Sequence, residues 1–169
     1  MRDSKAGRQV GLTMIETLIA LVIGLFVIGV AFVIYQQLTA GQKVSHARQN
    51  LSTIRSAVKE MYQHEGSYTF LDNTMAIKAD MVPTNMITGP ASLVNTWGGS
   101  VMISVDPVDS SRFDITSAGI PRSACMHLGV FLKGAWDRVL INGTPVDGTV
   151  GKASASCVGG GNTIIYTAH

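Results

Sequence analysis

From Leu18 to Tyr35 the chain carries 18 consecutive apolar or glycine residues, and no charged side chain falls between Glu16 and Lys43. As a helix, a run of that length reaches across a hydrocarbon core. Beyond it the pattern changes without a break. Val44, Ala47, Leu51, Ile54, Val58 and Met61 recur at steps of 3, 4, 3, 4 and 3 residues, while Arg48, Arg55, Lys59 and Glu60 fall off that stripe. Such spacing puts one apolar face along a helix. Neither proline nor a glycine pair interrupts the chain from Leu12 to Gln63, so one continuous helix is predicted there. Only about 30 Å of it fits inside a bilayer, so the second half must pack on a soluble body.

Glu65-Gly66-Ser67 is a stop signal for that helix. From Gly66 to Thr96 the composition is mixed, with Pro83 and Gly89-Pro90 as breakers, and the region reads as a surface excursion with a short helix over Met75–Met81. Strand patterns follow. Val101, Ile103 and Val105 alternate with Met102 and Ser104, and Arg112–Thr116 alternates again after a turn opened by Asp106-Pro107. Pro121 then opens a helix that would carry Cys125, Leu128, Leu132 and Trp136 on one face. Asn142-Gly143, between Val139-Leu140-Ile141 and Thr144-Pro145-Val146, signals a tight hairpin. A glycine-rich, flexible segment is expected up to Cys157, and Thr163–Thr167 closes the chain as a β-branched strand.

Composition and charge narrow the function. At 169 residues there is room for one domain plus an anchor. The formal net charge of +2 resides in the first 11 residues, where Arg2, Lys5 and Arg8 face only Asp3; the remainder has ten basic and ten acidic side chains. A neutral body lacks the basic surplus of a nucleic-acid binder, so no direct nucleic-acid binding is expected. The positive start suits a cytoplasmic flank of an exported chain. Gln36-Gln37-Leu38-Thr39 continues the helical character after Tyr35, with no small-x-small cleavage site, so the apolar run is retained and any processing precedes it. The two cysteines, Cys125 and Cys157, point in an exported chain to one disulfide, with two buried free thiols as the alternative.

Glu16 is the anomaly, a carboxylate at the upstream edge of an anchor. A first-turn acid is favoured by the helix macrodipole. Buried alone near the centre of hydrocarbon, it would cost about 2.5–3.5 kcal/mol. An opposite charge at about 4 Å is worth roughly 4 kcal/mol at intermediate dielectric, so pairing would make it tolerable. A basic leader ending in Gly11, followed by Leu12-Thr13-Met14-Ile15-Glu16 and a long apolar run, resembles the class III signal of type IV prepilins. The helix–loop–sheet order and the C-terminal cysteine pair extend the resemblance along the chain. Leu12 in place of phenylalanine, Trp97-Gly98-Gly99, and Ile120-Pro121 ahead of Cys125 look most like type IVb pilins, including those of conjugative thin pili. The leader is short for that class, and the mid-segment proline of many type IVa pilins is absent.

The resemblance implies an α+β pilin fold, with a long N-terminal helix packed on an antiparallel sheet. It divides the chain into a cleaved leader (1–11), a transmembrane and filament-core helix (12–38), an amphipathic half-helix (39–65) and a globular head (66–169). It implies cleavage between Gly11 and Leu12 by a prepilin peptidase, N-methylation of Leu12, and a register role for Glu16, which would meet the Leu12 amine of a neighbouring subunit. The implied partners are further copies in a helical filament, the peptidase, the pilus assembly machinery and, before assembly, the inner membrane. The mature protein would then be extracellular. A type II secretion pseudopilin or a minor pilin is the alternative, and a membrane-anchored periplasmic enzyme or binding protein a more distant one.

No competing chemistry is legible. His46 and His64 stand 18 residues apart on the long helix, and His127 and Cys125, two residues apart, would point away from each other on theirs. Asp106, Asp109 and Asp114 surround a turn but do not match the calcium-loop spacing of an EF-hand. Gly159-Gly160-Gly161 lacks the Lys-Ser/Thr that would make it a phosphate cradle. No catalytic residue, metal or cofactor is expected.

Overall fold

The computed structural model describes residues 13–131 and 134–169. It divides into two compact units, Met1–Thr39 and Ala40–His169, each described here by itself. Helix α1 runs Met14–Met61. In the second unit its stripe does what the spacing requires: Ala47, Leu51, Ile54 and Val58 are buried, the last two completely. The stripe ends differently from the expectation. Met61 stays half exposed, and Tyr62 is buried instead. The helix stops there, ahead of Gly66, in a turn where the Glu65 amide donates to the Tyr62 carbonyl at 2.9 Å. Aromatic contact accounts for the switch. The Tyr62 ring lies 5.2 Å from that of Tyr68, which lies 4.8 Å from Phe113 in the sheet.

The sheet has six strands: β1 (Leu93–Val94), β2 (Ser100–Val105), β3 (Phe113–Ile120), β4 (Arg138–Ile141), β5 (Thr144–Pro145) and β6 (Asn162–Ala168). Their order is β1-β2-β3-β6-β4-β5, with every neighbouring pair antiparallel. The β4–β5 turn is the expected Asn142-Gly143, both residues at positive φ. The last strand is the surprise. It lies in the middle of the sheet, between β3 and β4, and Ile164 and Tyr166 are completely buried.

The stretch from Gly66 to Thr96 is no surface excursion. Tyr68, Leu71, Ala76, Met81, Val82, Met86 and Leu93 are all buried in the core. Helix α2 spans Asn73–Lys78, earlier than the Met75–Met81 expected, because the Asp72 carboxylate accepts from the Met75 amide at 2.7 Å and caps it. Asn73 then serves the sheet: its Oδ1 accepts from the Ile103 amide at 2.8 Å and its Nδ2 donates to the Val101 carbonyl at 3.0 Å. One side-chain amide thereby stands in for a neighbouring strand along β2 where β1 has ended.

Helix α3 spans Arg122–Phe131, directly after Pro121. It ends before Trp136, which lies past the turn at Gly134 and packs its ring 5.2 Å from Tyr166. Leu132, expected on the same helical face, lies outside the described residues. The segment before Cys157 is not a flexible tract but a helix, α4 (Val150–Ser156), with Ala153 buried. Gly129 lets α3 approach closely, since a Cβ there would stand 2.7 Å from Ile141 Cδ1 and 3.1 Å from Ala153 Cβ.

Just past α4, Asn162 fastens the start of β6. Completely buried, it donates from Nδ2 to the carbonyls of Ile120 (2.9 Å) and Val158 (3.2 Å). Its Oδ1 accepts from the Val158 amide (2.7 Å) and Asn142 Nδ2 (2.9 Å). Replacing it with alanine would strand several buried polar groups, each costing about 1–3 kcal/mol. Asn162→Ala is therefore expected to lower the unfolding free energy by about 3 kcal/mol or more, read as a fall in the urea midpoint.

Candidate functional site

In the first unit, Met14–Ala31 forms a helix long and apolar enough to cross a membrane, and none of it is buried within the chain. Its large apolar side chains are exposed all round, from Val30 at 46% to Met14 at 82%. A helix apolar on every face belongs in lipid or among other helices, not in water. Its start is well formed. The Glu16 amide donates to the Thr13 carbonyl at 3.0 Å, and the Thr17 hydroxyl to the Met14 carbonyl at 2.8 Å. Glu16 thus sits in the first turn, where the macrodipole favours an anion. Among the described residues no cation pairs with it. Gly11 and Leu12, the expected processing residues, lie outside the described residues.

In the second unit, Cys125 on α3 and Cys157, just after α4, form a disulfide with Cα atoms 6.0 Å apart. Trp97-Gly98-Gly99 acquires a structural reason. Asn95 Oδ1 accepts from the amides of Trp97 (2.9 Å) and Gly99 (3.0 Å), and its Nδ2 donates to Ser117 Oγ (3.0 Å) and the Ala118 carbonyl (2.7 Å). Gly99 is pressed so closely on β3 that a Cβ would stand 1.9 Å from the Ala118 oxygen. Gly98 has φ +81°, a value that favours glycine. Four asparagines, at 73, 95, 142 and 162, hold the head together in this way; pattern reading found Asn142 only as a turn residue and missed the other three. Asn73, Asn95 and Asn162 each sit at the rim of an apolar run, a position that composition alone assigns to loops.

The three aspartates considered for calcium each have their own partner. Asp106 is buried and accepts from Arg138 at 2.6 Å; Asp109 lies 3.3 Å from Arg112 and accepts from the Ser111 hydroxyl at 2.6 Å; Asp114 accepts from the Thr167 hydroxyl at 2.5 Å. Among the described residues no group of three His, Cys, Asp or Glu side chains converges as metal ligands would. His169 pairs with Asp137 at 2.7 Å at the end of β6, while His46, His64 and His127 are exposed.

A family profile described as PilS N terminal matches residues 41–169. No curated protein sequence matches significantly. The chain is similar in structure to a type IVb pilin from Salmonella typhi, at 23% identity and TM-score 0.61, over 72% of this chain and 97% of that one. It is similar to TcpA, a type IV pilin from Vibrio cholerae El Tor biotype, at 15% identity and TM-score 0.54, over 76% of this chain and 99% of that one. The solution structure of the type IVb pilin PilS from Salmonella typhi aligns at 22% identity and TM-score 0.52, over 73% and 94% of the two chains. At these identities the structural likeness is one of fold. The family match begins beyond Gly11, Leu12 and Glu16.

Asp114 generates a testable pH effect. Burial raises its carboxyl above the usual carboxylate range, with the nearby Asp106 charge adding to that and the Thr167 hydroxyl and Arg138 opposing it. The folded head therefore holds this proton more tightly than the unfolded chain does. Stability from this group is present at low pH and falls as pH rises through the window from the unfolded value to the raised folded one. Asp114→Asn, which keeps an oxygen for Thr167, is expected to be at least as stable as the parent at neutral pH. Its advantage should shrink as the pH is lowered toward about 4, followed by thermal unfolding of both proteins.

Proposed function

The chain belongs to the PilS family, and from that membership we propose that it is a type IVb pilin, a structural subunit that polymerises through its N-terminal helix. The observation that carries this reading is the helix Met14–Ala31, exposed and apolar on all faces, with a single carboxylate in its first turn. Such a helix needs one environment before assembly and another after it. As a precursor it lies in the inner membrane with the basic segment Arg2–Arg8 on the cytoplasmic side. After assembly the same surface is covered by the helices of other copies.

Processing makes the second state possible. A prepilin peptidase cutting between Gly11 and Leu12 removes the three cations and one acid of the leader and leaves a new α-amine at Leu12. That amine, with N-methylation, supplies the positive group that Glu16 lacks among the described residues. In the filament the Leu12 amine of one subunit meets Glu16 of its neighbour, which sets the axial register between copies. The disulfide head and the type IVb fold favour a pilin over a secretion pseudopilin. The protein acts by assembly, without catalysis of its own. The assembled pilus is extracellular.

Intact-mass analysis of protein from sheared filaments should give an N-terminus at Leu12, and retention of Met1 or cleavage after Tyr35 would remove the basis of the reading. Glu16→Val should be processed normally yet yield few or no filaments in a strain lacking the parental copy. Normal filament yield from that variant would show that the carboxylate sets no register.

A further inference from the structure

Among the described residues of the head, Arg55 is a half-buried cation with no ion-pair partner. Arg55 lies on α1 with its guanidinium 5.5 Å from the centre of the Trp136 ring. Its Nε is buried and has no hydrogen-bond partner among the described residues, and no carboxylate among them pairs with it. It borders a cleft of about 270 Å³ lined by Arg48, Gln49, Leu51, Ser52, Ala135 and Trp136. Arg48, two turns earlier on the same face of α1, is held at the cleft by donating to the His127 carbonyl at 2.8 Å. The cleft therefore combines two guanidinium groups, one apolar wall and a fixed indole.

The carboxylates of the same head show what could fill it. Asp106, Asp109, Asp137 and Asp147 are each paired within the head. The exposed carboxylates of the head without an ion-pair partner among the described residues are Glu60, Glu65, Asp72 and Asp80, all between the last turn of α1 and the residues just after α2. Glu65 and Asp72 lie close enough together to act jointly on the Tyr62 phenol, raising its pKa after the larger effect of burial. Glu65 and Asp72, two members of this acidic patch, thus flank Tyr62, two turns or about 10 Å along the chain from Arg55.

We propose that the Arg55–Trp136 cleft receives a carboxylate from the acidic patch around Tyr62 of a second copy of this chain, with Glu65 as its chief donor. This rests on the filament reading above and concerns contacts between heads, separate from those of Glu16. Three features favour it. A cation and its complement at different places on one surface make a heterologous contact, which can repeat as an open helix instead of closing as a dimer. The contact with Trp136 holds the guanidinium over the ring, leaving less side-chain freedom to lose on meeting a carboxylate. Arg55 is already partly desolvated, so the approach of a second head strips little further water from it.

The test is pilus yield from the full-length chain in cells lacking the parental copy. Arg55→Glu, and separately Arg55→Gln, should remain processed, folded and disulfide-bonded, with only a modest fall in melting temperature from the lost contact with Trp136. Arg55→Glu should lower the yield of sheared filaments by about tenfold or more, with a smaller fall for Arg55→Gln. Adding Glu65→Arg, or Glu60→Arg, to Arg55→Glu should restore the yield to within about twofold of the parent. Parental yield from Arg55→Glu overturns the proposal, as does a loss that neither partner exchange restores. Absence of filaments from the parental chain itself would instead overturn the pilin reading on which the proposal stands.

Discussion

The head depends on where its last strand goes. β1, β2 and β3 form one half of the sheet and β4 and β5 the other, and β6 is the strand that pairs with both. Without it the two halves share no ladder. The chain must therefore be complete before its core can close, which makes the head rich in contacts between distant segments. The fastenings are concentrated at the entry to this strand. The disulfide ties Cys157 to α3, and five residues later Asn162 ties the start of β6 to Ile120 and to Asn142 of the β4–β5 turn. In the chain-entropy picture a cross-link closing a loop of about 32 residues contributes roughly 3–4 kcal/mol, comparable to a large part of a small domain's stability. Covalent and polar restraints thus act where the sequence returns to insert its final strand.

How much of this was legible follows from the range of each signal. The helical stripe from Val44 to Val58, the Asn142-Gly143 turn and the β2 and β6 strands rest on local periodicity, and the structure contains them. The place of β6 in the strand order has no local signal, because alternation tells that a residue faces a core but not which strands flank it. The same limit explains the stretch from Gly66 to Thr96. Its buried residues, from Tyr68 to Leu93, are scattered among breakers with no period, and only the tertiary arrangement shows that they line one core. Composition suggested flexibility before Cys157, yet α4 forms there because Ala153 is needed as packing beneath Gly129. Of the site, the apolar run and Glu16 were readable directly. Arg55 was visible only as a charge off the stripe, since its significance lies in Trp136, which is 81 positions away.

Helix α1 meets two different burial demands along one continuous backbone. From Ala47 to Val58 one stripe is enough, because one side of the helix joins the core of the head and the others stay outside it. From Met14 to Ala31 no stripe is present, as suits a helix surrounded on every side by apolar groups, whether lipid or other helices. Uniform hydrophobicity suits either environment but specifies no axial register. A slide of one helix along another would change little apolar contact. In the filament proposed above, one carboxylate in the first turn breaks that degeneracy, since a buried unpaired charge costs more than a paired one. On that proposal, register follows from a single charge, not from the shape of the apolar surface.

The same separation of tasks governs how the head avoids competing with the helix. An exposed sheet edge would offer an alternative route to association through unpaired backbone groups. On one side, β1 is only two residues long and the Asn73 side chain occupies the amide of Ile103 and the carbonyl of Val101 beyond it. On the other side, β5 is equally short and contains Pro145, which has no amide to donate. Both edges are therefore poor templates for another strand. With ladder pairing suppressed, the strongest drive to associate remains with the exposed apolar helix. Assembly is directed by leaving one large apolar surface uncovered and finishing the others.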